Sequence, residues 1–263
     1  MKILLTVSYD GSGYCGWQRQ KNGMSVQQKL EEALGEVFGC PGDYILVTGA
    51  SRTDAGVHAL GQCAAFFVEY CKIPLPKLPQ VLNSKLPEDI VITSAREVDA
   101  NFHPRFDARE KMYEYRISDC KYPSPLHRNF TWQLSHRLDE QKMDEAARLL
   151  IGTYDFAAFC AAGGHEKSTV RTIYDANVKR QGDQIIFSVR GNAFLYKMVR
   201  IITGTLVQAG RNKIDPASIQ EIITLKERKL TGETAPPQGL TLIWVEYSFS
   251  VDKTHRKKYH NRW

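Results

Sequence analysis

Long apolar runs are missing from this 263-residue sequence, and none approaches the length of a membrane-spanning helix. The apolar residues 3–7 give way to Ser8, Tyr9 and Asp10, too soon for the h-region of a secretory signal. A cytoplasmic protein with no membrane partner is therefore expected. The six cysteines, at 15, 40, 63, 71, 120 and 160, form no C-x-x-C pair and fall at no zinc spacing. In a chain of this size they read as reduced thiols rather than a disulfide framework. Cys160 and His165 lack further ligands at metal spacing, so no metal is expected. Low-complexity segments and visible internal repeats are also missing.

What is present is the composition of a globular protein, 43% hydrophobic and 24% charged, with ample length to bury a core. The net charge of +6 suits an anionic partner. It is unevenly spread: residues 252–263 carry five Lys and Arg against Asp252, a net +4, with Tyr259 and Trp263 interleaved. Such a flexible basic tail either keeps the chain soluble or grips a phosphate backbone, and composition leaves both open.

Residues 2–9 read as a strand. Ser25 caps a helix whose apolar face (Val26, Leu30, Ala33, Leu34, Val37, Phe38) ends at Gly39, with Gln28 placed to reach back to the cap. Strands at 44–48 and 62–69, a short helix at 76–85 and a strand at 90–98 complete a β-α-β-β-α-β order, a ferredoxin-like half. The elements then begin again. Strands are expected at 111–118 and 131–135, a helix from Asp139 to about 150, and a hairpin of 171–179 with 184–190. A helix at 195–209, another opened by Asp215-Pro216, and a last strand at 240–249 follow. The expected organisation is α+β, with an N-terminal half 1–108, an elaborated C-terminal half 109–250 and the tail 251–263.

One polar crossing, residues 48–62, joins two of these strands and is long for a plain connection. Arg52 and Asp54 set opposite charges two residues apart, and Gly49, Gly56 and Gly61 allow sharp turns and close approach. A solvated surface pair on an ordinary turn would look the same. The string Gly11-Ser12-Gly13-Tyr14-Cys15-Gly16 follows a strand and satisfies G-x-G-x-x-G. A dinucleotide site needs a helix opening inside that string so that its amides meet the pyrophosphate, and residues 17–23 intervene here. No nucleotide cofactor is expected. Tyr14, Trp17, Arg19 and Lys21 read instead as an RNA-facing loop, or as a core tryptophan with solvated charges around it.

Residues 51–59 (Ser-Arg-Thr-Asp-Ala-Gly-Val-His-Ala) with Gly61-Gln62 resemble the signature of the tRNA pseudouridine synthase A family, which isomerises uridine in the anticodon arm of tRNA. Four further blocks agree in order: residues 9–27, 102–108 with Tyr113-Glu114-Tyr115, Asp155-Phe156 with Phe159, and 192–204. The resemblance implies a pseudouridine synthase fold, two ferredoxin-like halves joined in a mostly antiparallel sheet with a central active-site cleft. It implies a homodimer acting on tRNA at positions 38, 39 and 40 without a cofactor. It implies Asp54 as nucleophile, Arg200 as its counter-ion with Arg52 as the rival, and Tyr113 against the target base. Arg52 would hold the flipped nucleotide, and Arg105 and Arg109 would meet phosphates. Tyr115 shares the parity of Tyr113 along its strand, so the two compete for the same role. The rivals to an isomerase are a non-catalytic RNA-binding protein on the same fold and a nucleotide-dependent enzyme resting on residues 11–16.

Overall fold

The computed structural model describes residues 1–40, 44–122, 124–164 and 167–248. The basic tail and His165 lie outside the described residues. The chain divides into two units, Met1–Arg109 with Leu242–Trp263, and Glu110–Thr241.

In the first unit, strand β1 (Lys2–Tyr9) buries Ile3, Leu5, Val7 and Tyr9 at alternate positions. Helix α1 (Val26–Phe38) begins where the Ser25 hydroxyl accepts the Gln28 amide at 3.2 Å and ends at Gly39, whose φ of 70° suits a left-handed cap. Only half of the expected capping box forms, because the Gln28 side chain turns forward to Glu32 at 3.0 Å. Strand β2 is confined to Thr48–Gly49, shorter than the apolar run before it suggests. Ile45 and Val47 are buried without entering the strand. Strand β3 (His58–Phe67), helix α2 (Leu78–Asn83) and strand β4 (Ile90–Val98) follow. β1 lies antiparallel between β4 and β3, and β2 pairs antiparallel with β3. This is the split β-α-β arrangement of a ferredoxin-like half.

In the second unit, β5 (Ala108–Ser118), which begins at the boundary, pairs with β6 (Trp132–Gln133) in parallel. Helix α3 (Glu140–Arg148) is capped by Asp139, which accepts the amides of Gln141 and Lys142, both at 3.1 Å. The short strand β7 (Gly152–Asp155) was not expected from the sequence. Strands β8 (Val170–Gln181) and β9 (Gln184–Gly191) form the expected hairpin, turning through Gly182 at φ 57°. The antiparallel order is β5-β9-β8-β7. Helix α4 (Met198–Gly210) starts three residues later than expected because Lys197 adopts a left-handed φ of 57°. Helix α5 (Ser218–Leu225) follows a turn in which Asp215 accepts the Ala217 amide at 2.8 Å.

The final strand β10 (Leu240–Tyr247) comes last in the chain, yet from Leu242 it groups with the first unit, beside β3. There the backbone of Gly61 approaches so closely that an added Cβ would lie 2.5 Å from the Ile243 carbonyl oxygen. Among the described residues no helix is long and apolar enough to cross a membrane, and no three His, Cys, Asp or Glu side chains cluster as metal ligands.

Candidate active site

The polar crossing between β2 and β3 is tied down at several points. Gln62, fully buried, accepts the Ser51 amide at 3.2 Å and donates to the Ser51 carbonyl at 2.6 Å. The Ala50 amide reaches the Cys63 carbonyl at 2.7 Å. Thr53 is held twice, its hydroxyl 2.7 Å from that of Tyr9 and its carbonyl accepting the Trp17 amide at 3.1 Å. Beyond it the Val57 amide returns to the Asp54 carbonyl at 3.1 Å, closing a turn whose second corner, Gly56, has φ 77°. Asp54 therefore sits at the first position of a turn, half-buried, directly after a doubly anchored residue. Arg52, two residues earlier, is exposed.

The glycine-rich stretch 11–16 supplies the other wall of this loop. Gly16 has φ 108°, and an added Cβ would lie 2.7 Å from the Thr53 carbonyl oxygen. A Cβ on Gly11 would be 2.1 Å from the Val57 carbonyl oxygen. The Gly11 amide donates to His58 Nδ1 at 3.0 Å, and the Gly56 amide to the Tyr14 carbonyl at 3.3 Å. His58 is buried and its Nδ1 also lies 3.1 Å from Asp10. The glycines thus serve backbone-to-backbone packing against the 50–58 loop. The aromatic residues expected to face RNA do not: Trp17 is 2% exposed against Gly49, and Tyr14 is buried with its hydroxyl on Asp89 at 2.6 Å. Burial, then Asp89, pushes the Tyr14 hydroxyl well above the usual tyrosine range. Arg19 pairs with buried Glu31 at 3.0 Å, while Lys21 is exposed.

Arg109, near the start of β5, and Arg105, in a second loop of the first unit, are both exposed. His103 and Asp107 close that loop, with the His103 amide on the Asp107 carboxylate at 2.8 Å and the Asp107 amide on the His103 carbonyl at 3.0 Å. Tyr247 of β10 donates its hydroxyl to the Pro104 carbonyl at 2.8 Å and packs edge-on against Phe102.

In the second unit, β5 presents Tyr113 and Tyr115 on one face, with different surroundings. The Tyr115 ring is fully buried, its hydroxyl donates to the Pro236 carbonyl at 2.7 Å, and the Gly239 backbone lies against it. Burial pushes that hydroxyl far above its ordinary pKa, against the opposing influence of nearby Arg200. Tyr113 is 6% exposed and meets Phe194 edge-on at 5.2 Å. Arg200, in the first turn of α4, is half-buried, and its Nε donates to the Ala235 carbonyl at 2.7 Å. The Ala235 amide returns to the Arg200 carbonyl at 3.1 Å. That segment lies close to the helix because Gly204 and Gly232 carry no side chain, and a Cβ on Gly204 would lie 1.8 Å from the Glu233 carbonyl oxygen.

A model of the tRNA pseudouridine synthase family matches residues 5–107 and 146–248. The chain belongs to the tRNA pseudouridine synthase family. It is 46% identical over 245 residues to a tRNA pseudouridine synthase A of Thermoanaerobacter sp. (strain X514), covering 93% of this chain and 99% of the relative. The corresponding protein of Acetivibrio thermocellus is 44% identical over the same number of residues and shares, and that of Ruminiclostridium cellulolyticum is 44% identical over 247 residues, 94% and 99% of the two chains. The mixed α+β fold with its mostly antiparallel strands is that of a pseudouridine synthase. Within the family match, Arg52, Asp54 and Arg105 fall in the first stretch and Arg200 in the second, while Arg109 and Tyr113 lie between them.

Several supporting residues carried no such expectation from the sequence. The Thr53 to Tyr9 hydroxyl contact and the carbonyl held by Tyr247 join residues far apart in the chain. Gln62 gave a signal, as a polar residue among the apolar ones of β3.

Proposed function

We propose that this chain is an isomerase that converts uridine to pseudouridine at positions 38, 39 and 40 of the tRNA anticodon arm. Family membership carries the reaction, and the build of the 50–58 loop supports Asp54 as its centre. The reaction breaks the bond from uracil N1 to ribose C1′ and forms one from C5 to C1′, while a proton leaves C5 and N1 gains one. Atoms and oxidation state are conserved, so the chemistry calls for no redox partner or activated co-substrate. It does call for an ionised carboxylate at the sugar and a water-poor pocket for the detached base.

Asp54 is assigned that carboxylate, attacking C1′ as nucleophile. An ionised carboxylate in a water-poor pocket needs a counter-ion beside it. Arg200 is assigned that role, and its tether to Ala235 supports a fixed guanidinium. Arg52 is exposed on the same loop as Asp54, which suits contact with a nucleotide drawn out of the stem. Tyr113 is assigned to the target base in preference to Tyr115, whose hydroxyl is committed to Pro236. Arg105 and Arg109 are assigned to phosphates. The enzyme works as a cytoplasmic homodimer without cofactor.

The test is a transcribed tRNA with uridine at positions 38, 39 and 40, incubated with the purified chain and mapped by primer extension after carbodiimide treatment. Stops at those positions support the assignment. Stops confined to another part of the tRNA would refute the anticodon-arm reading, and binding without any modification would favour the non-catalytic RNA-binding protein.

A further inference from the structure

Phe106 stands 75% exposed at the tip of the loop that carries Arg105 and leads into Arg109 of β5. A large ring left in water is common by itself, and here its backbone is constrained as well. The His103 Nδ1 accepts the amides of Arg105 at 3.1 Å and Phe106 at 3.4 Å, which places the imidazole under the tip as a scaffold. The His103 and Asp107 bonds close the base of the loop, and Tyr247 holds its middle through Pro104. The His103 ring backs the phenyl ring, with centroids 4.2 Å apart and planes at 35°. With the residue 75% exposed, the ring has surface left to meet a partner.

The neighbours indicate what that partner is. The Arg105 guanidinium lies over the ring, 5.9 Å from its centroid, and Arg109 follows four residues after Arg105, both exposed. A groove of about 870 Å³ runs beside the ring, lined by Arg96, Arg109 and Phe102 together with the acids Glu97, Asp99 and Asp107, among others. The Asp107 carboxylate in that groove accepts the His103 amide, and Asp99 likewise accepts Asn101 at 2.8 Å. A flat face backed by a second ring and flanked by guanidinium groups is the combination that holds an unpaired base with its phosphates. A rigid platform also binds without first having to order its own loop.

We propose that residues 102–107 form a preformed platform on which an unpaired base of the RNA substrate stacks against Phe106, with Tyr247 as the positioning residue that fixes the platform. This deepens the tRNA reading and rests on it. The ring contributes to binding in ground and transition states alike, so its loss raises KM and leaves kcat unchanged.

The experiment measures tRNA affinity by fluorescence anisotropy and turnover by release of tritium from uracil C5, for the full-length wild type and for Phe106→Ala, Phe106→Leu and Phe106→Trp. Loss of one base-to-ring stack is expected to weaken Kd and KM by roughly tenfold in the Ala and Leu variants, and Trp should restore both. The dependence of log Kd on log salt should keep its slope in all three, because no phosphate contact is lost. Tyr247→Phe should weaken Kd while Phe106 is intact, and weaken it no further in combination with Phe106→Ala. Unchanged affinity in Phe106→Ala, or rescue by Leu as complete as by Trp, would overturn the platform. A wild type that binds tRNA but releases no tritium would overturn the enzymatic reading, and the affinity series would still decide the platform.

Discussion

In the loop at residues 50–58 the anchors come from distant parts of the first unit: Gln62 on Ser51, Tyr9 and Trp17 on Thr53, and Tyr14 on Gly56. The loop at residues 102–107 is tied mostly to itself, through His103 and Asp107, with Tyr247 as a long-range tether. The first leaves a half-buried carboxylate at a fixed turn, and the second leaves an exposed ring and the exposed Arg105. Chemistry needs its reacting groups held to a fraction of an ångström, and binding a flexible polyanion tolerates more. The difference in construction matches the difference between the tasks proposed for the two loops, and on that proposal substitutions in them should separate into effects on kcat and effects on KM.

Among substitutions that spare Asp54 itself, the largest expected effect is that of Gly16→Ala. Its Cβ cannot occupy the position 2.7 Å from the Thr53 carbonyl at φ 108°, so the 50–58 loop must shift. We expect kcat to fall by roughly 100-fold with KM nearly unchanged, measured by steady-state tritium release. Next is Gln62→Leu, which strands the amide and carbonyl of Ser51 inside the unit. A loss of about 2 kcal/mol in urea unfolding is expected, with a fall in kcat alongside. Thr53→Val keeps the shape but deletes the bond to Tyr9, for about 1 kcal/mol of stability and roughly tenfold in kcat. Smallest is Arg105→Ala in the other loop, which should raise KM severalfold, leave kcat alone and lower the salt slope of binding by about 1. An Arg105 variant that lowered kcat instead would erase the division of labour between the two loops.

Much of this was legible in the sequence where the determinants are local. Ser25 and Gly39 bracket α1, Asp139 caps α3, and Gly182 turns the β8 and β9 hairpin, each through groups a few residues apart. Short-range signals failed where distant packing decides. Alternation along residues 240–247 marks a strand, but nothing local tells that it lies beside β3. Trp17 and Tyr14 among glycines and charges look like a nucleic-acid surface, and only Gly49 and Asp89, brought in by the fold, show that both are core. Tyr113 and Tyr115 are equivalent by parity. The segment around residues 236–239, more than a hundred residues away, claims the Tyr115 hydroxyl and ring. The string at residues 11–16 reads as a phosphate cradle from its glycines alone, and its use as a buttress for residues 50–58 emerges only once the two loops meet.

The most direct test is a single-turnover assay of tritium release from uracil C5 of an anticodon-arm substrate, with enzyme in excess, comparing the wild type with Asp54→Asn. Asparagine keeps the size and the backbone turn but has no carboxylate to attack C1′. The account predicts full release by the wild type and no detectable release by the variant, at equal tRNA affinity. Release by Asp54→Asn at a rate near that of the wild type would contradict the assignment of Asp54 as the nucleophile.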